Sequence, residues 1–206
     1  MIAPAAATAS ALLPRAKAAE STADAASLLY GRLAHHAAGH ANDHALACTI
    51  ASLCEGSGAL PDWLGLEPPA FHCLMRYHFP GLELGDQARV GRPLDHQRGD
   101  ERVELVDLML LDKAGDSPSE VWMAHIVAAA CMASDHLWQD LGLWERADLT
   151  ELMRRNFPSL AARNVKDMKW KKFLYKQLCE AEGIYACRAP SCEVCVDYQL
   201  CFGPEG

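Results

Sequence analysis

The chain has 206 residues, half of them hydrophobic, nine cysteines, a formal net charge of -8 and a pI near 5.5. That length can bury one sizeable core without disulfide or metal staples, so the cysteines need another explanation. The acidic balance argues against a protein that wraps a phosphate backbone, and no run of apolar residues is long enough to span a bilayer.

The opening stretch, residues 1–20, is alanine-rich and has no basic residue ahead of its apolar part, unlike a secretory signal. It is expected to be a disordered tail. The expected compartment is then the reducing cytoplasm, where clustered cysteines more often bind metal or do redox chemistry than form disulfides.

From Ser21 the apolar residues recur at helical spacing, and no alternating strand pattern is present. STADAASLLYGRLAHHAAG predicts a first helix that stops near Gly39. NDHALACTIASLCEG predicts a second, opened by Asn42 or Asp43 and ended at Gly56, making a hairpin with the first. EPPAFHCLMRYHFPG reads as a short helix entered through Pro68 and Pro69 and closed by Pro80 and Gly81. GLELGDQARVGRPLDHQRG reads as a long loop, and DERVELVDLMLL resumes a helix that Gly115 ends.

SPSE at Ser117 to Glu120 is a capping-box pattern with proline at the first helical position. The helix behind it, VWMAHIVAAACMA, is apolar nearly all round and is expected at the buried centre. Asp135 is expected to cap a short helix, DHLWQDLGL, and ADLTELMRRNF to form another that Pro158 breaks. Asn164 with Asp167 is expected to open a last helix, with Met168, Leu174, Leu178 and Ala181 on one face and Gly183 at its end. The expected architecture is therefore all-α: one helical domain over residues 21–183, with a cysteine-rich loop over residues 184–206.

That loop carries Cys187-x4-Cys192-x2-Cys195-x5-Cys201. A helix would spread these sulfurs over roughly 21 Å, so they converge on one centre only if the segment curls into a loop. Structural zinc sites usually use two separated ligand pairs, and here only Cys192 and Cys195 form such a pair. Iron-sulfur clusters accept several thiolates from one loop, and the x4, x2 order matches plant-type ferredoxins, although the fourth spacing does not. Thiolates suit iron-sulfur, zinc and copper alike, so spacing favours iron-sulfur while zinc and unliganded or disulfide-paired cysteines stay open.

The four-cysteine spacing, together with the stretch RNVKDMKWKKFLYKQLCEAEGIYACRAPSCEVC that leads into it, resembles the NifQ family of nitrogen-fixation proteins. The likeness extends through ACMASDHLWQDLGLWERADLTELMRRNFPSLAARN, with ALPDWLGL at Ala59 to Leu66 as a weaker echo. The resemblance implies a protein that carries a molybdenum-iron-sulfur cluster and donates molybdenum for the iron-molybdenum cofactor of nitrogenase. It implies Cys187, Cys192, Cys195 and Cys201 as the cluster ligands. Its implied partners are the cofactor-assembly proteins of the nitrogenase system and molybdate or another molybdenum source. An electron-transfer iron-sulfur protein, or a helical interaction module with a four-cysteine structural zinc, are the alternative readings.

The other candidates have plainer readings. Cys48, Cys54, Cys73, Cys131 and Cys179 sit singly on predicted helices and are expected to be small buried hydrophobes. Cys179, close to the loop, is also a candidate transient sulfur ligand. His36, His40 and His44 share helical spacing, but Gly39 and the Asn42-Asp43 cap signal divide them and remove the common face. His125 and His136 are expected to be hydrogen-bonded core residues, with coordination at the cluster as the functional alternative. Lys166, Lys169, Lys171, Lys172 and Lys176 read as a solvated face, or as a basic surface that offsets cluster charge, attracts molybdate or steers an acidic partner. No P-loop, dinucleotide fingerprint or G-x-S-x-G elbow occurs, so an enzyme is not expected, and the resemblance implies a carrier.

Overall fold

The computed structural model describes residues 25–94 and 96–181. Among these residues every regular element is a helix. The first, α1 (residues 25–35), precedes α2 (Asp43–Cys54), which has Asn42 at its N-cap. The chain reverses at Gly39 (φ +88°) between them and at Gly56 (φ +78°) after α2, backbone conformations that a side chain would oppose.

Helix α3 (Pro68–His78) starts on its proline pair, as expected. The connection that follows is not a plain surface loop: it contains a 3₁₀ turn at Gly85–Ala88 and buries Leu82, Leu84 and Ala88. Helices α4 (Gly99–Leu111) and α5 (Pro118–Cys131) come next. Only half of the expected capping box forms. Ser117 Oγ accepts the Ser119 N–H at 3.2 Å, but Glu120 accepts the Gly115 N–H at 3.0 Å and so staples the preceding turn.

Further on, α6 (Leu137–Asp140) has His136 rather than Asp135 at its N-cap. Helix α7 (Arg146–Asn156) ends as expected, yet Pro158 also opens a new helix, α8 (Pro158–Ala162), because its missing N–H costs nothing in a first turn. The last helix, α9 (Trp170–Ala181), begins later than the sequence pattern implies. Asn164 caps a turn instead, accepting the Met168 N–H at 2.8 Å and donating to the Met168 carbonyl at 2.9 Å, while Asp167 takes φ +50°. Its buried face comprises Trp170, Phe173, Leu174, Tyr175, Leu178 and Cys179, and Ala181 is exposed rather than on that face.

The expected central helix is indeed α5, buried from Ile126 through Cys131. It packs on α3, α4, α6 and the 3₁₀ turn at Asp62–Gly65. That turn is left-handed, with φ of +57° at Trp63, +61° at Leu64 and +77° at Gly65. A Cβ on Gly65 would lie 2.6 Å from the Ala129 Cβ, so glycine meets two demands there: the positive φ and the close approach to α5. Asp62 anchors the turn by accepting the N–H groups of Val90 (2.8 Å) and Arg92 (3.0 Å).

Two polar residues one turn apart fasten α9 to this core. Lys171 is buried and donates to the Ala133 carbonyl (3.0 Å), the Asp135 carbonyl (2.7 Å) and the Asp140 carboxylate (2.5 Å), which satisfies all three ammonium hydrogens. Tyr175, fully buried, accepts from Arg98 Nη2 at 2.8 Å, and Arg98 also reaches the Met132 carbonyl at the end of α5 (2.7 Å). Within the lysine-rich stretch, then, Lys171 is a core residue, while Lys166 and Lys176 are exposed.

Candidate metal centre

Cys187, Cys192, Cys195 and Cys201 lie outside the described residues, as do the expected disordered tail, the Gly183 helix end and the cysteine-rich loop. What the structure places is the element preceding them. Helix α9 is held through Lys171 and Tyr175 to α4, α5 and the segment leading into α6.

The single cysteines divide. Cys48, Cys131 and Cys179 are buried, as expected; Cys54 is half-buried, and Cys73 is exposed with Arg76 Nη2 3.3 Å from its sulfur. Cys73 departs from expectation because it falls on the outer side of an amphipathic helix whose inner side is Phe71, Leu74, Met75 and His78. Burial pushes the thiols of Cys48 and Cys131 up to about 12, so in isolation both stay protonated.

The histidines also separate, as the Gly39 break requires. The His36 ring bonds the Pro80 carbonyl through Nδ1 at 3.0 Å, and His40 stacks on Tyr77 with ring centres 4.0 Å apart. His125 is half-buried, and burial lowers its pKa. His136 is exposed at the start of α6 rather than in the core.

The histidine that is fully buried is His78, which the sequence reading did not single out. Its Nδ1 lies 2.6 Å from Asp43 Oδ1 and its Nε2 lies 2.9 Å from Ser119 Oγ. Asp43 Oδ2 accepts the N–H groups of Gly39 and His40, each at 2.8 Å. Asn42 donates to Ser119 Oγ (2.8 Å) and exchanges amide hydrogen bonds with Asn156 (2.7 and 2.9 Å). A neutral His78 with its proton on Nδ1 fits every donor to an acceptor: Nδ1–H to Asp43, and the Ser119 hydroxyl to Nε2. Although aspartate, histidine and serine are aligned as in a hydrolase, the serine is buried and its oxygen is already engaged by Asn42, so the group acts as a polar clamp. It joins the starts of α2 and α5 to the ends of α3 and α7.

A second constellation lies on the outer side of α2. His44 and Cys48, one turn apart on α2, meet Asp148 from α7, with His44 Nε2 3.9 Å from Cys48 Sγ and 3.5 Å from Asp148 Oδ1. All three ligand atoms lie within 4.8 Å of one another. The His44-x3-Cys48 spacing was legible in the sequence as two donors on one helical face; the third donor comes from over a hundred residues away and was not.

Comparison with known proteins identifies the chain. Residues 45–203 match the NifQ family, a span that contains Cys187, Cys192, Cys195 and Cys201. Protein NifQ of Azotobacter vinelandii is 48% identical over 166 residues, covering 76% of this chain and 85% of that protein. A NifQ homolog of Sinorhizobium fredii (strain NBRC 101917 / NGR234) is 36% identical, covering 79% of this chain and 72% of the homolog. Protein NifQ of Rhodobacter capsulatus is 35% identical, covering 78% and 87%. No solved structure matches significantly. With three-quarters of its length aligned to relatives of that name and the family match spanning the four-cysteine segment, the chain belongs to the NifQ family.

Proposed function

We propose that this protein carries molybdenum within an iron-sulfur cluster held by Cys187, Cys192, Cys195 and Cys201, and donates it for the iron-molybdenum cofactor of nitrogenase. It is a carrier, not a catalyst, and works in the cytoplasm. The observation behind this reading is one short segment with four thiols in a chain of the NifQ family. Soft thiolates in one loop suit an iron-sulfur cargo. Cargo held by one segment leaves with the rearrangement of that segment alone, as delivery requires. The lock on α9 supplies a fixed base from which the segment departs. The receivers are the cofactor-assembly proteins of the nitrogenase system, and molybdate or another molybdenum source supplies the metal.

Metal and acid-labile sulfide analysis of protein purified without oxygen tests the reading. Molybdenum with roughly three to four irons and matching sulfide is expected, the load four thiolates commonly hold. Iron and sulfide without molybdenum, after growth on ample molybdate, would point to electron transfer; zinc alone in a colourless sample would overturn the cluster. Cys195→Ser should lose the cluster while its circular dichroism stays helical.

A further inference from the structure

We propose that His44, Cys48 and Asp148 form a second metal site, separate from the C-terminal cysteines, which takes a divalent ion of the zinc class. The donors are one imidazole nitrogen, one sulfur and one carboxylate oxygen, a set suited to an ion of borderline softness and not to magnesium or calcium.

The geometry is close to that of a bound ion. Ligand atoms about 2.0–2.3 Å from a tetrahedral metal stand roughly 3.3–3.6 Å from one another. The His44–Asp148 distance of 3.5 Å already meets this, and the His44–Cys48 distance of 3.9 Å nearly does. With no pair beyond 4.8 Å, closing the triangle takes a contraction of roughly 1.2–1.5 Å at most, within reach of a side-chain rotation at Asp148 near the start of α7.

Two of the ligands are also held from behind. His44 Nδ1 is 3.0 Å from the Tyr30 hydroxyl, which leaves Nε2 for the site when the proton sits on Nδ1. Asp148 Oδ2 accepts the Glu145 N–H at 3.2 Å, which turns Oδ1 toward His44. Outer partners of this kind orient metal ligands and tune their basicity. Asp148 and Glu145 both act on Cys48 as negative charges, so the site attracts a cation.

Cys48 forms the buried floor, and the His44 side chain, 55% exposed, forms the rim. Three protein ligands with solvent on the fourth side describe an open site, from which the ion exchanges. A weak hydrogen bond between the Cys48 sulfur and His44 Nε2, beside a long His44–Asp148 contact, is the competing account of the same distances.

Cobalt(II) titration of the full-length chain with Cys187, Cys192, Cys195 and Cys201 all changed to serine separates the two, because the C-terminal sulfurs then give no signal. The expected result is one equivalent bound, with a thiolate-to-cobalt charge-transfer band and the intense visible bands of tetrahedral coordination, both displaced by zinc. His44→Ala, at an exposed position, should keep the fold and abolish both bands, and Asp148→Asn should weaken binding at least tenfold. Tyr30→Phe should weaken it by roughly 10- to 100-fold without moving the bands, as loss of an outer partner does. No charge-transfer band, or a band that persists in His44→Ala and Asp148→Asn, would overturn the site. Since the four C-terminal cysteines are absent throughout, either outcome is independent of what that segment carries.

Discussion

Replacing Lys171 with methionine keeps most of the side-chain volume and removes one charge from a place with almost no solvent. The side chains of Lys171 and Asp140 are 7% and 1% exposed, and the ammonium meets one carboxylate and two backbone carbonyls. The substitution leaves the Asp140 carboxylate buried without its counter-charge, and breaking a buried pair from one side costs about 3–5 kcal/mol. Against a total stability of about 5–15 kcal/mol that is a large fraction, equivalent to a fall in Tm of roughly 6–20 °C at about 2–4 °C per kcal/mol. Urea unfolding followed by far-UV circular dichroism measures it. Pairing Lys171→Met with Asp140→Leu should recover much of the loss, because the lone charge is then gone. Lys176→Ala, which breaks an exposed pair with Glu180, should cost no more than about 0.5 kcal/mol. If Lys171→Met cost no more than Lys176→Ala, or the double variant were no more stable than the single one, Lys171 would not be the bolt that fastens α9.

Other consequences follow from individual sites. Gly65→Ala should destabilise by about 1–2 kcal/mol for its left-handed backbone and a further 1–3 or so for overpacking against Ala129. Gly85→Ala, with φ +55° and open space around the added methyl, should show the backbone cost alone, so the difference in urea midpoints isolates the overlap. His78 is held neutral because burial lowers its pKa below the usual 6.5, despite the opposing pull of Asp43. Its contribution is therefore complete above about pH 6.5 and declines as pH falls below that, where the unfolded chain takes up a proton first. The stability of the parent should fall more steeply than that of His78→Gln between pH 6.5 and 5, by at most about 1.4 kcal/mol per pH unit; parallel curves would show that His78 does not titrate differently on folding. In the variant lacking the four C-terminal cysteines, a thiol reagent should label exposed Cys73 quickly, while Cys131 reacts only as fast as the protein opens.

The sequence alone determined the helical class and most helix positions, because periodicity, prolines and glycines act locally. Pro68 and Pro69 start α3, Gly39 and Gly56 reverse the chain, and an apolar run unrelieved by charge marks α5 as central. It also singled out the four-cysteine segment and its family likeness, since ligand spacing along one loop is a one-dimensional property. Where the local reading failed, a partner from elsewhere had intervened. Glu120 turned to the Gly115 N–H, Pro158 served the next helix, and Lys171 met the Asp140 carboxylate and the carbonyls before it. The clamp around His78 and the triangle of His44, Cys48 and Asp148 join residues 35 to 114 positions apart, in addition to their neighbours on one helix. Only tertiary packing decided these, because hydrogen bonds and ligand distances depend on which helices lie side by side, and no spacing within one helix records that.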